Sequence, residues 1–149
     1  MKNILIKSSG DVLNNKKLIG FIKNKAKKSR VVVICGGGTQ ISEALIKAGY
    51  KIKYDEYGRI TKTTKEKNIV KKVLEKHKKE LEKIINSKNA KVAIPILKVE
   101  GAECHINGDN MVKACYLGFN SIYIFTLKGR IRGKQEIFKN YPKVKIIGM

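Results

Sequence analysis

Three consecutive glycines, Gly36, Gly37 and Gly38, follow directly on the apolar run "VVVIC" and open the amphipathic segment "TQISEALIKAGY". Glycine reaches positive φ and lets another group approach the backbone closely. A helix start offers unbonded N–H groups and the positive end of the helix dipole, which suits phosphate and other anions. "GGGTQ" therefore has the composition of an anion cradle. A tight strand-to-helix turn without a ligand is the plain alternative. Three further loops share its richness in Gly, Ser, Thr and Asn: "KSSGD" from Lys7, "HINGD" ending at Asp109, and "TLKGR" ending at Arg130. Arg59 stands beside the hairpin glycine Gly58 and is one of four arginines, with Arg30, Arg130 and Arg132. A guanidinium there suits bidentate recognition of a carboxylate or phosphate, although a surface arginine on a hairpin would look the same. Lys7 could equally end a strand at the surface, and Asp109 could simply cap a helix. Neither GxxxxGK[ST] nor GxGxxG fits the glycine loops.

These loops need a scaffold, and the hydrophobic pattern supplies one. Strands are predicted at residues 3–7, 31–35, 91–96 and 121–126, with a further one in "KVKIIG". "VVVIC" and "VAIPIL" are continuous apolar runs, as expected of strands covered on both faces. Leu18, Ile19, Ile22 and Ala26 mark a basic amphipathic helix, and Ile41, Ala44, Leu45 and Ala48 mark a second that stops at Gly49. Residues 51–63 alternate around "DEYG" as a hairpin. Thr63 and Glu66 form a capping-box pair ahead of the longest helix, residues 64–86. His77 lies on that helix's apolar face and is expected as a core or boundary residue. Residues 109–117 form a helix ended by Gly118, and "KGRIRGK" is expected as a loop. Strand–helix alternation without a linker or internal repeat predicts one α/β domain over residues 1–149, with a mainly parallel sheet and helices on both faces. In such sheets ligands bind beyond the carboxyl ends of the strands, where all four polar loops fall.

Composition narrows the function classes. With 149 residues and 16.8 kDa, the chain is long enough to bury a real core. No apolar run approaches the roughly 18 residues of a membrane span, and residues 3–6 are too short for the apolar region of a secretory signal. Cys35, Cys104 and Cys115 show neither CxxC spacing nor an even count, so buried thiols and a cytoplasmic address are expected. The outlier is charge: 33 Lys and Arg against 12 Asp and Glu give +21. Nearly all the excess is lysine on outer helix faces, whereas base-reading proteins favour arginine. A solvated lysine surface is the expectation, with nonspecific binding to nucleic acid and other polyanions at low salt.

The ordered set of motifs is more specific than any single loop. "ILIKSSGDVL", "VVVICGGGTQI", "GRITKT" before a long helix, and "INGDNMVKACYLGFNSIYIFTLKGR" resemble the amino acid kinase family across residues 2–130. The resemblance implies a three-layer α/β/α sandwich cut short in its C-terminal, nucleotide-binding half. It implies that Lys7 stabilises a transferring phosphoryl group and that Gly10, Gly37 and Gly38 supply backbone donors around it. Arg59 would pair with a substrate carboxylate, Asp109 would orient catalytic lysines, and Asn107 belongs to the same N-x-D motif. Lys128, Arg130, Arg132 and Lys134 would substitute for a second lysine of the missing half, Lys128 first among them.

The implied activity is transfer of the ATP γ-phosphoryl group to a carboxylate or phosphate acceptor, with ATP and Mg²⁺ as cofactors. Nucleotide and a small anionic metabolite are the implied ligands, and a homodimer the implied assembly. A second expectation is a non-catalytic protein that senses an anionic metabolite or nucleotide. A third is a basic nucleic-acid-binding protein on the same fold.

Overall fold

The computed structural model describes residues 1–149. The predicted apolar runs become β1 (Lys2–Ser8), β2 (Ser29–Cys35), β5 (Ala90–Ala93) and β8 (Ser121–Thr126), joined by β9 (Val144–Gly148). They form one five-stranded sheet in the order β5-β2-β1-β8-β9, and every pairing is parallel. Helices α1 (Lys16–Ala26), α2 (Gly38–Lys47), α3 (Thr64–Ile85), α4 (Gly108–Cys115) and α5 (Ile131–Ile137) connect or cover the strands. Two small hairpins complete the chain: β3 (Tyr54–Asp55) with β4 (Gly58–Arg59), and β6 (Ile96–Val99) with β7 (Ala102–His105).

Strand alternation sorts the core into two layers. Ile4, Ile6, Val31 and Val33 pack against Leu18, Ile22 and Ala26 of α1 and against Leu81 and Ile85 of α3. Leu5, Ile34, Ile122 and Ile124 face the other way, onto Met111 and Val112 of α4 and onto Phe138. The result is a three-layer α/β/α sandwich, as the pattern predicts. Each fully buried Leu or Ile contributes about 1.5–3 kcal/mol from removal of apolar area. The first half of α3 packs instead on α2, through Val70, Leu74, Ile41 and Leu45. The apolar face of the longest helix is thus largely covered from within the chain. Its start carries the expected capping box: Glu66 N–H donates to Thr63 Oγ1, and Thr63 N–H donates to Glu66.

Two expectations need correction. The strand predicted to run through residue 96 ends at Ala93. Pro95 has no N–H for a ladder, and Ile96 N–H turns back to Ile94 O at 2.8 Å. The chain then leaves the sheet as the β6–β7 hairpin. Second, "KGRIRGK" is no loop, because a 3₁₀ turn at Lys128–Arg130 leads straight into α5. Gly129 and Gly133 suggested a loop from sequence, but neither has positive φ and a side chain at either would meet open space. Buried Phe138, just past α5, anchors it to the core. No helix is long and apolar enough to cross a membrane.

Candidate functional site

The sheet order creates a switch point between β1 and β8. The chain leaves β1 toward β2 on one side and leaves β8 toward β9 on the other, which opens a crevice beyond their carboxyl ends. Lys7 stands at that end of β1. Alternation with Ile6 turns its side chain toward α4 and α5, where it is only 7% exposed. Gly108 makes room for it, since a Cβ there would lie 2.9 Å from Lys7 Cε.

Three charged groups meet at this place. Lys7 Nζ lies 3.5 Å from Asp109 Oδ1, and Lys134 Nζ donates to Asp109 Oδ2 at 2.5 Å. The longer contact is within ion-pair range but lacks good hydrogen-bond geometry, and Oδ1 has no hydrogen-bond donor. Burial alone would raise the Asp109 carboxyl, but Lys7 and Lys134 outweigh it and hold the group below the usual aspartate range. Burial pushes Lys7 down from its ordinary value; Asp109 opposes the shift and Lys134 adds to it. Asp109 is therefore not the helix cap. That role belongs to Asn107, whose Oδ1 accepts from Asn110 N–H at 2.7 Å. Lys134, and not Lys128, is the second lysine of the cluster. The helical register of α5 delivers it, from among the four basic candidates that the sequence offered in this segment.

Arg59 belongs to a neighbouring pocket of about 230 Å³. Its Nη2 lies 2.8 Å from Gly38 O, 2.8 Å from Ser42 Oγ and 2.9 Å from Tyr54 Oη, three acceptors that share its two N–H groups. Its Nε is sealed from solvent and has no partner. Ile41, Val70, Leu74, Pro95 and Ile106 form the apolar lining, and His105, Asn107 and Gly108 complete the wall toward Lys7. The β3–β4 hairpin is pinned at this edge because Asn110 Nδ2 donates to Tyr57 O at 3.1 Å. Sequence reasoning did not single out Tyr54 or Ser42 as site residues. They reach the pocket through the hairpin and α2, contacts that no local spacing encodes.

The glycines divide between the two regions. Gly38 lines the pocket and gives its carbonyl to Arg59. Gly10 and Gly37 lie away from it, where the loops after β1 and β2 press backbone on backbone. A Cβ on Gly10 would lie 2.9 Å from Gly37 Cα, and one on Gly36 would lie 2.9 Å from Ser8 O. None of Gly36, Gly37 and Gly38 has positive φ. His77 Nδ1–H donates to Gly36 O at 3.0 Å, the boundary role expected for it. Asp11 accepts from Thr39, Gln40 and Arg130 and ties three of the loops together.

No protein-family model matches the sequence, and no curated protein matches it. Solved structures do share the fold. The smu.665 protein of Streptococcus mutans UA159 superposes with a TM-score of 0.66 at 14% identity, over 85% of this chain and 72% of that one. N-acetylglutamate synthase of Neisseria gonorrhoeae, in complex with coenzyme A and L-arginine, gives 0.55 at 12% identity, over 85% of this chain and 44% of that one. The same synthase with coenzyme A and N-acetyl-glutamate gives 0.55 at 12% identity, over 85% and 42%. This chain spans less than half the length of the synthase.

These findings correct the expectation drawn from the motifs. The neighbour with a named activity is a synthase, and it holds coenzyme A with an amino acid or its N-acetyl derivative, not ATP and Mg²⁺. Likeness at 12–14% identity carries the fold and no activity. Membership of the amino acid kinases, γ-phosphoryl transfer from ATP, and ATP with Mg²⁺ as cofactors are set aside accordingly. The site chemistry agrees for the metal. Asp109 is already occupied by two ammonium groups, and no three His, Cys, Asp or Glu side chains converge to hold an ion.

Proposed function

We propose that this protein binds a small anionic N-acyl amino acid in the pocket beneath the β3–β4 hairpin, with Arg59 taking a carboxylate. The observation that carries the reading is the state of Arg59. Its guanidinium is held through one nitrogen, whose two N–H groups three neutral acceptors share, it meets an apolar wall, and it forms no ion pair with any carboxylate of the chain. Its Nη1 makes no hydrogen bond within the chain and is not sealed from solvent, which leaves it free for an acceptor from outside.

Two further features support an acidic ligand. Across Gly108 lie two ammonium groups against one carboxylate, one positive charge in excess. An arriving anion would offset the burial that presses Lys7 toward losing its proton. Size limits the ligand as well, since about 230 Å³ falls below the roughly 300–1,000 Å³ of pockets for drug-sized molecules. An acylated amino acid suits this space better than a whole nucleotide or coenzyme A. Of the two amino-acid ligands of the neighbouring synthase, N-acetyl-glutamate has the charge this pocket lacks. L-Arginine repeats the charge it already has. The three free cysteines, one of them exposed, suit a reducing, cytoplasmic setting.

Calorimetric titration with N-acetyl-L-glutamate and with L-arginine tests the reading. The acid should bind and arginine should not. Arg59→Met should weaken the acid by about 10- to 150-fold, for the loss of a charged hydrogen bond worth about 1.5–3 kcal/mol. Arginine binding as well as the acid, or an unchanged Arg59→Met variant, would contradict it.

A further inference from the structure

We propose that the sheet face beside α1 binds single-stranded nucleic acid, with Phe21 and Tyr123 stacking on bases and Lys17, Lys25, Lys128 and Lys145 taking phosphates. This surface shares no residue with the Arg59 pocket and does not depend on how that pocket is read.

A parallel sheet is normally covered on both faces, but here one face is left partly open. On the side of Ile4 and Val31, α1 and α3 lie over β2 and β5, and α1 reaches β8 through Phe21. The Phe21 ring meets Tyr123 edge-on at 4.9 Å and Phe125 at 5.2 Å. β9 lies further out at the sheet edge, and α5 anchors through Phe138 on the opposite face. Tyr123 and Lys145 are paired in register and so point to the same side. Phe21, Tyr123 and Ile147 are half-buried there, and Lys145 is exposed. The result is a shelf floored by β8 and β9 and walled by α1.

Charge on this shelf has one sign. Lys17, Phe21 and Lys25 recur every four residues along one side of α1. Lys25 Nζ lies 5.1 Å from the centre of the Phe21 ring and 5.3 Å from that of Tyr123. Lys145 Nζ lies 6.0 Å from the Tyr123 ring. Toward the carboxyl ends of the strands, Lys17, Lys128 and Gly148 border a cavity of about 390 Å³. None of the four lysines forms an ion pair within the chain. Residues 12–42 hold seven Lys and Arg and no acidic residue, and residues 121–149 hold seven against Glu136 alone. Glu136 is taken by Lys139.

A polyanion answers this charge, and the rings select among polyanions. Lysines that meet phosphates release the counterions of a nucleic acid. Aromatic rings set among cations stack on bases that are free of a duplex. Paired bases cannot lie on a floor of rings, and a polyglutamate chain brings nothing to stack. Lysine in place of arginine gives no bidentate reading of base edges, so the shelf tolerates any sequence.

The test is fluorescence anisotropy of the full chain with a labelled oligothymidylate of about ten nucleotides and an abasic strand of equal length. Both carry the same phosphates, so the ratio of their dissociation constants isolates stacking from charge and from fold. In the parent the thymidylate should bind roughly 5- to 100-fold more tightly. In Tyr123→Leu that ratio should fall toward one, with affinity for the abasic strand kept. Lys25→Gln combined with Lys145→Gln should weaken both strands alike and lower the logarithmic salt slope by about 1.4, at about 0.7 for each phosphate contact. Lys72→Gln combined with Lys79→Gln, exposed on α3, should do far less. A parent without preference for the thymidylate, or a Tyr123→Leu variant that keeps it, overturns the shelf. So does tighter binding of duplex DNA or polyglutamate, or an α3 pair as damaging as the shelf pair.

Discussion

Lys7 Nζ sits 3.5 Å from Asp109 Oδ1, joining the end of the central strand to the first turn of α4 across the switch point. Asp109 has Lys134 as well, whereas Lys7 has no other carboxylate. This asymmetry predicts unequal mutants. Asp109→Asn strands a buried ammonium beside another and should cost about 3–5 kcal/mol. Lys7→Met leaves Asp109 paired with Lys134 and should be near neutral or stabilising. Urea denaturation of both variants would show the difference, and equal losses would argue against a shared carboxylate.

Acid should weaken the same cluster. Asp109 is held below its ordinary value by two lysines that outweigh its burial. A carboxyl lowered on folding adds stability above its unfolded pKa, near 3.9, and loses it as pH falls through the folded value. Lys7, lowered on folding, works in the opposite sense at high pH: its cost is present below its folded pKa and lifts as pH rises past it. The stability gap between the parent and Asp109→Asn should therefore be full near pH 6 and narrow below about pH 4. A gap that does not change with acid would contradict the pairing.

Two glycine substitutions should move stability in opposite directions. Gly36→Ala would put a Cβ 2.9 Å from Ser8 O, a backbone atom within the packed loops, and should cost about 1–3 kcal/mol. Gly133→Ala meets nothing within 4 Å inside α5 and should stabilise by about 0.4–1 kcal/mol. Thermal melts of the two single variants suffice.

The capping box at the start of α3 gives a local check. Thr63→Ala removes the acceptor for Glu66 N–H and should cost about 0.5–2 kcal/mol. Ligand affinity should not change, because neither residue lines the Arg59 pocket.

The central strands were legible in the sequence because they are largely buried on both faces and so appear as apolar runs. The capping box and the end of α2 at Gly49 were legible because a helix terminus is a local event. Pro95 marked the end of β5, yet the apolar run through Ile96 and Leu97 masked it. In α5 the reverse happened, as Gly129 and Gly133 imitated a loop although the backbone needs no glycine at either position. At the site, Lys7, Arg59 and Asp109 stood out by type and place. Their partners stood out less: Lys134 was one of four basic candidates in a segment that read as a loop, and Tyr54 and Ser42 reach Arg59 by tertiary packing. The glycine triplet was misleading in a different way, since Gly36 and Gly37 allow two loops to touch each other and only Gly38 reaches the pocket. Motif order pointed to phosphoryl transfer from ATP, whereas the neighbour with a named activity is a synthase that holds coenzyme A.

The central claim is that an acidic N-acyl amino acid occupies the pocket with a carboxylate on Arg59. Its most direct test is backbone amide NMR of the isotopically labelled protein titrated with N-acetyl-L-glutamate. The account predicts saturable shifts concentrated at Gly38, Gly58, Arg59, His105, Ile106 and Gly108, all lining residues, and their loss in Arg59→Met. Shifts absent from these residues, or spread evenly over the lysine-rich surface and abolished by salt, would contradict it.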